Sequence, residues 1–447
     1  MNLNAPRQWF PSDQQRAVHP ALAQMGLAGL ALYAAMITLD KNAPLLGNLC
    51  LLGEWLMLLA LLISWPQAKA RLPQDGMFRL LLLWAAYLGI SCVVGNHRVP
   101  GSLLHQFFVA RQWVKLGFIV LVAWWLGGEW RAIRRLYLLL FFAFAFFMLP
   151  YFLYPLYWEK GLAGSRLRFG MNPQRSGLFF ATALLGLLFL AQDVWGDRHK
   201  QHFHWRVGLW ILAILLTTTG LLFTQTRGAW LGVAAGILAA LPAVSIARPQ
   251  LKNRGLAVGG MAVGMLLLIA VGIWQWPHIA ARFAEENASL QVIKSGQWQN
   301  APMTSLGLRL HLWHWGWSLW QESPWLGVGV GSVLPLMAAD NLPHEPGGAE
   351  FTHLHNSWLE LLCATGVIGL GLFIAFVVFS ARGGWWAYRM GRLPGRFLLM
   401  QWAVFVMFVV ANYSEAHITK WIFWPYLALF WGSLYSPAFW FRRSRAS

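Results

Sequence analysis

Uncharged apolar runs of about 18–22 residues recur along the whole chain, and each is long enough for a helix to cross about 30 Å of hydrocarbon. Only 11% of the 447 residues are charged, where a soluble protein carries about a quarter, and no polar linkers divide the chain. Soluble and disordered folds are excluded. The fold class is all-α: a polytopic membrane protein with twelve predicted spans, at 22–39, 45–65, 78–95, 114–128, 135–154, 176–194, 207–225, 228–246, 255–275, 356–380, 396–412 and 418–436. The polar opening MNLNAPRQWFPSDQQRAVHP lacks a signal peptide's apolar core and cleavage site, so the first span is expected to be retained.

The net charge of +18 would suggest a nucleic-acid partner in a soluble protein. Here topology explains it, because cytoplasmic loops of membrane proteins concentrate Lys and Arg. With the N-terminus inside, most of the 34 basic residues fall on inner segments, both termini are cytoplasmic, and no nucleic acid is expected. The chain then divides into a membrane region of nine spans (1–276), an outer loop (277–355), and three further spans with a cytoplasmic tail (356–447). The three cysteines, Cys50, Cys92 and Cys363, lie in apolar runs and build neither a disulfide framework nor a metal site.

Topology does not explain the outer arginines. Arg166, Arg168 and Arg175 lie in SRLRFGMNPQRSG, Arg227 in LLFTQTRGAWLGV, and Arg309 in the long loop. Each is open to two readings, a snorkelling or solvated cation or a binding site for an anion. A planar, permanently charged guanidinium suits phosphate. Within the loop, residues 306–321 have the spacing of an amphipathic helix. Leu306, Leu310, Trp313, Trp317 and Trp320 form its expected apolar face, with Arg309 on that side.

His355, in FTHLHNSWLELL, stands where the long loop re-enters the membrane, and an imidazole there can accept a proton from a hydroxyl. His353 is two residues away, so on a helix the two rings would diverge. No HExxH pattern or Asp-x-Asp pair is present, and no metal or other cofactor is expected. The Gly327–Gly331 run reads as a turn, not a phosphate loop. Glu360 and Glu415, near the outer boundary, are candidates to orient His355 or pair with an arginine, and Glu54 is a carboxylate within a span.

The run His355-Asn356, nine residues, Gly366, two residues, Gly369 resembles the signature of bacterial O-antigen ligases. These enzymes belong to a superfamily that also holds O-antigen polymerases and protein O-oligosaccharyltransferases. The segments around Arg227 and Arg309 resemble two further elements of that family. The resemblance implies an inner-membrane glycosyltransferase working at the periplasmic face. It would move O-antigen polysaccharide from undecaprenyl pyrophosphate to a sugar hydroxyl of lipid A–core. His355 would be the base, and Arg227, Arg309, Arg166 and Arg168 would hold the pyrophosphate. Asn356, Gly366, Gly369, Glu360 and Glu415 would support them. A polymerase or protein-glycosylating activity is the alternative, and a lipid-linked glycan flippase is a weaker one. The short tail FRRSRAS, which leaves no protein-acceptor domain, is expected to favour the ligase.

Overall fold

Capping residues start several of the helices that position the site. Asp75 accepts the Phe78 N–H at 3.0 Å, Asn172 precedes a helix-initiating proline, Thr304 accepts the Gly307 N–H at 3.1 Å, and Asn356 accepts the Trp358 and Leu359 N–H groups. The computed structural model describes residues 18–37, 44–191, 203–246, 287–297, 300–340, 342 and 351–441, with scattered positions between 259 and 284. The helices are α1 (Pro20–Met36), α2 (Pro44–Ile63), α3 (Gly76–Arg98), α4 (Leu103–Trp113), α5 (Phe118–Leu126), α6 (Trp130–Leu153), α7 (Pro155–Leu162) and α8 (Pro173–Phe189). They continue with α9 (Phe203–Phe223), α10 (Arg227–Ile246), α11 (Asn287–Ser295), α12 (Ser305–Glu322), α13 (Val333–Ala339), α14 (Ser357–Arg389), α15 (Gly395–Tyr413) and α16 (Phe423–Phe441). No strand occurs among the described residues.

Six of the described helical stretches are long and apolar enough to cross a membrane, and a bent pair after residue 48 makes a seventh. α1 and α10 are shorter apolar helices, and the expected span at 255–275 lies largely outside the described residues. The fourth span differs from its expected bounds, running from Leu103 to Leu126 through a tight turn at Val114–Gly117 instead of starting at 114. Its polar residues hid it, and they are satisfied by partners distant in sequence. Gln106 bonds Gly331 and Ser332, and Lys115 pairs with Glu54 at 2.6 Å. α16 is apolar on every side and is buried from Phe423 to Trp440, packed on α5 and α14.

α12 is a helix over almost the expected residues; of its expected apolar face Leu310 is buried and Trp313 and Trp320 pack partly buried on the core, but the buried surface extends to other residues. Leu308, Leu312, Gly316 and Leu319 face inward, while Trp317 is exposed. Gly316 lets Leu354 and Leu359 approach more closely than a tryptophan face could.

α14 is broken at Gly366, whose φ of 61° and ψ of −169° lie in a region open essentially to glycine alone. The break frees backbone groups inside a membrane helix, where each must find a partner. The chain after α12 supplies them. The Pro324 and Trp325 carbonyls accept from the Val367 and Ile368 N–H groups at 2.9 and 3.2 Å. The Val328 and Gly329 N–H groups donate to the Cys363 and Ala364 carbonyls at 2.8 and 3.1 Å. Tyr87 of α3 donates to the Thr365 carbonyl, and its ring closes on Gly369. The glycine run is thus the turn expected, and Gly366 and Gly369 are the residues that let it dock.

Gly366→Ala should lower stability by about 1–3 kcal/mol from backbone strain alone. Gly371→Ala, at a position with open space, should not. Thermal unfolding in detergent compares them, and equal midpoints would remove the strained break from this account.

Candidate active site

Four loops meet at the end of the bundle where α8, α10 and α14 begin. The SRLRFG loop lies on the turn between α9 and α10. There the Leu167 N–H donates to the Phe223 carbonyl at 2.8 Å, and Arg166 Nε donates to the Thr224 carbonyl at 3.2 Å. Gln225 Nε2 donates back to the Gly164 carbonyl at 2.5 Å. Arg227 opens α10, and the next residue, Gly228, lies against Ser414 and Ala411 at the end of α15. Ser357 ties the last two loops together, its N–H and Oγ reaching the Glu415 carbonyl at 3.2 and 3.1 Å. α12 joins through Trp313, whose Nε1 donates to the Leu354 carbonyl at 3.0 Å, with Arg309 one turn earlier.

Among the described residues, three that are not glycine have a positive φ: Phe169, Gln225 and His355. One lies in each of three of these loops. Such strain persists only where the surroundings over-determine it, and it clusters at functional sites.

His355 lies outside any helix, which corrects the expectation that its ring and that of His353 diverge. Their centroids are 4.3 Å apart and nearly perpendicular. Both rings face Glu415, with His353 Nε2 3.2 Å from Oε1 and His355 Nδ1 3.7 Å from Oε2. The His355 N–H donates to His353 Nδ1 at 3.3 Å. Phe351 stands edge-on to the His355 ring at 5.8 Å. One nitrogen from each imidazole and a Glu415 oxygen lie within 4.8 Å of one another, so the donor set has the spacing for a metal ion as well as for hydrogen bonding.

Burial pushes the Glu415 carboxyl up, but His353 and His355 outweigh it and hold the group well below the usual carboxylate range. Burial lowers the pKa of His353, against the pull of Glu415. Burial likewise lowers Arg166, opposed by Glu415 and reinforced by the fields of Arg227, Arg309 and Arg168. Arg166 therefore lies within electrostatic reach of Glu415 and of the other three arginines expected at the site. Two cationic or basic groups escaped sequence reasoning. Burial brings His417 down to about 4 and also lowers Lys420, and both feel Glu415 and Arg175. Their only signal was their place in the short loop after α15.

Glu360 acts on the backbone beside His355. Its Oε2 accepts the Leu354 N–H at 2.9 Å, which fastens the backbone just before His355. Asn356 caps α14 and so fixes the backbone just after it.

Residues 212–374 match the model of the O-antigen ligase family. The match supports the O-antigen ligase/polymerase superfamily. It takes in Arg227, Arg309, His355, Asn356, Glu360, Gly366 and Gly369, while Arg166, Arg168 and Glu415 lie outside it. A comparison with curated proteins finds no match.

Because the folded Glu415 carboxyl is held low, its stabilisation is complete at neutral pH and is lost as pH falls below the unfolded carboxyl range, about 4. Glu415→Gln should therefore unfold at a lower temperature than the parent at pH 7, with the gap narrowing towards pH 3. A gap independent of pH would mean that the charge is not what stabilises the loop.

Proposed function

We propose that this protein is an O-antigen ligase. It transfers O-antigen polysaccharide from undecaprenyl pyrophosphate to a sugar hydroxyl of lipid A–core, with both termini in the cytoplasm and the site at the periplasmic face of the inner membrane. The observation that carries this reading is the meeting of His355 and Glu415 with the four arginines at one end of an apolar bundle. The excess of Lys and Arg on the opposite segments supports the orientation.

His355 takes the proton of the acceptor hydroxyl as its oxygen attacks the anomeric carbon. The bond from that carbon to the pyrophosphate oxygen breaks, and the electron pair leaves with undecaprenyl pyrophosphate. Negative charge grows on the leaving group, and guanidinium groups stabilise it where a divalent ion would otherwise act. The same arginine field disfavours a cation at the histidines, so the proposed reaction is metal-independent. An apolar cavity of about 880 Å³ between α6, α8 and α9 supports a lipid-linked donor. Phe152 and Phe180 line it and also pack on Phe169 of the SRLRFG loop, and it extends to Arg134 and Arg206 at the far end of α6 and α9.

Purified protein in detergent, given lipid-linked donor and lipid A–core, should form product in excess EDTA with no energy source. Activity lost to EDTA and restored by Mg²⁺ would refute metal independence. Chain extension of the donor, or transfer only to a protein acceptor, would replace the ligase with a polymerase or an oligosaccharyltransferase.

Arg227→Ala and Arg309→Ala should each reduce turnover roughly 10²–10³-fold, the cost of losing one preorganised donor to a developing charge. Arg→Lys at either position keeps the charge without the fork and should rescue only in part. Because the pair acts as a unit, the double variant should lose less than the product of the single losses. Unchanged turnover and donor affinity in the single variants would remove the pyrophosphate clamp.

A further inference from the structure

His353 lies in a chain of polar contacts that begins and ends at His355, two of them within hydrogen-bond distance and the last, from Glu415 to the His355 ring, longer. A backbone N–H can only donate, so His353 Nδ1, 3.3 Å from the His355 N–H, presents its lone pair. A neutral imidazole then carries its one proton on Nε2, which stands 3.2 Å from Glu415 Oε1, an oxygen that can only accept. With Oε1 engaged, Oε2 faces Nδ1 of His355 at 3.7 Å. A proton drawn to that nitrogen leaves the lone pair on His355 Nε2, the atom a general base must use.

We propose that His353 is a positioning residue that, through Glu415, converts the backbone conformation of His355 into the tautomer of its side chain. The proposal rests on the reading of His355 as the base. The left-handed backbone of His355 is part of the device, since its φ of 51° turns the N–H towards His353. The distances also show where the circuit closes during the reaction. His353 is already within hydrogen-bond reach of Glu415, whereas the His355 contact is looser. When His355 takes the acceptor's proton it becomes an imidazolium, and the loose contact tightens into an ion pair. That gain exists only after proton transfer begins, so it belongs to the transition state and not to substrate binding.

The test uses full-length protein in detergent with lipid-linked donor and lipid A–core, and compares His353→Ala, His353→Asn and His353→Gln. Asn offers an oxygen near the place of Nδ1 but no donor to Glu415, whereas Gln offers an N–H near the place of Nε2. His353→Ala should lower kcat about 10²-fold, the lower range for general-base catalysis, with KM for both substrates nearly unchanged. Gln should recover at least about tenfold of that loss and Asn far less. Near-normal kcat in His353→Ala overturns the proposal. Equal losses in Gln and Asn overturn it too, and that comparison remains decisive if the alanine variant fails to fold. His355→Ala is run beside them. Retained turnover there defeats the base reading itself, whereas an inactive His355→Ala beside normal His353 variants defeats the positioning role alone.

Discussion

A backbone group freed inside a membrane must be answered by protein, because no water is there to answer it. In this bundle the demand arises at Gly366, and the chain from Pro324 to Gly329 meets it with four hydrogen bonds. Those bonds join the segment leaving α12 to the helix whose first turn follows His355. Arg309 and His355 are therefore held by one junction, although they stand far apart within the long loop's sequence. Tyr87, Ser91 and Gln106 brace the same junction from α3 and α4, so the N-terminal part of the bundle also bears on the site.

Charge at the site is balanced unevenly. Glu415 is buried, yet it keeps its proton off because two imidazoles face it, and its field reaches Arg166, His417 and Lys420 as well. One carboxylate thus offsets part of a strongly cationic neighbourhood. The remaining positive potential suits a doubly charged leaving group whose charge rises as its bond breaks. The phosphate-facing and proton-transfer parts of the proposed reaction share this carboxylate as their electrostatic hinge.

Hydropathy made the membrane class legible, and residue spacing made the extent of α12 legible to within a residue or so. The arginines and His355 were also legible, because an unexplained cation or imidazole at an outer boundary stands out against an apolar background. The break in α14 was not, since Gly366 interrupts the backbone without interrupting the apolar run. The start of the span at Leu103 was hidden for the opposite reason. Gln106 and Lys115 look unfit for a membrane until Gly331 and Glu54 are brought beside them. His353 was misjudged through a helical assumption that the left-handed turn at His355 removes. In each case the missing information was a contact between segments remote in sequence, which local pattern does not carry.

The burial of α16 has a consequence for how the protein is made. This helix fills the middle of the bundle, where Ser436 and Trp440 bond the Ala123 carbonyl and Tyr435 bonds Asp75. Yet it follows every other described helix in synthesis. Until it leaves the ribosome, the faces of α5 and α14 that it covers lack that partner, although both helices also pack on earlier ones. The buried centre that this helix provides is therefore added last.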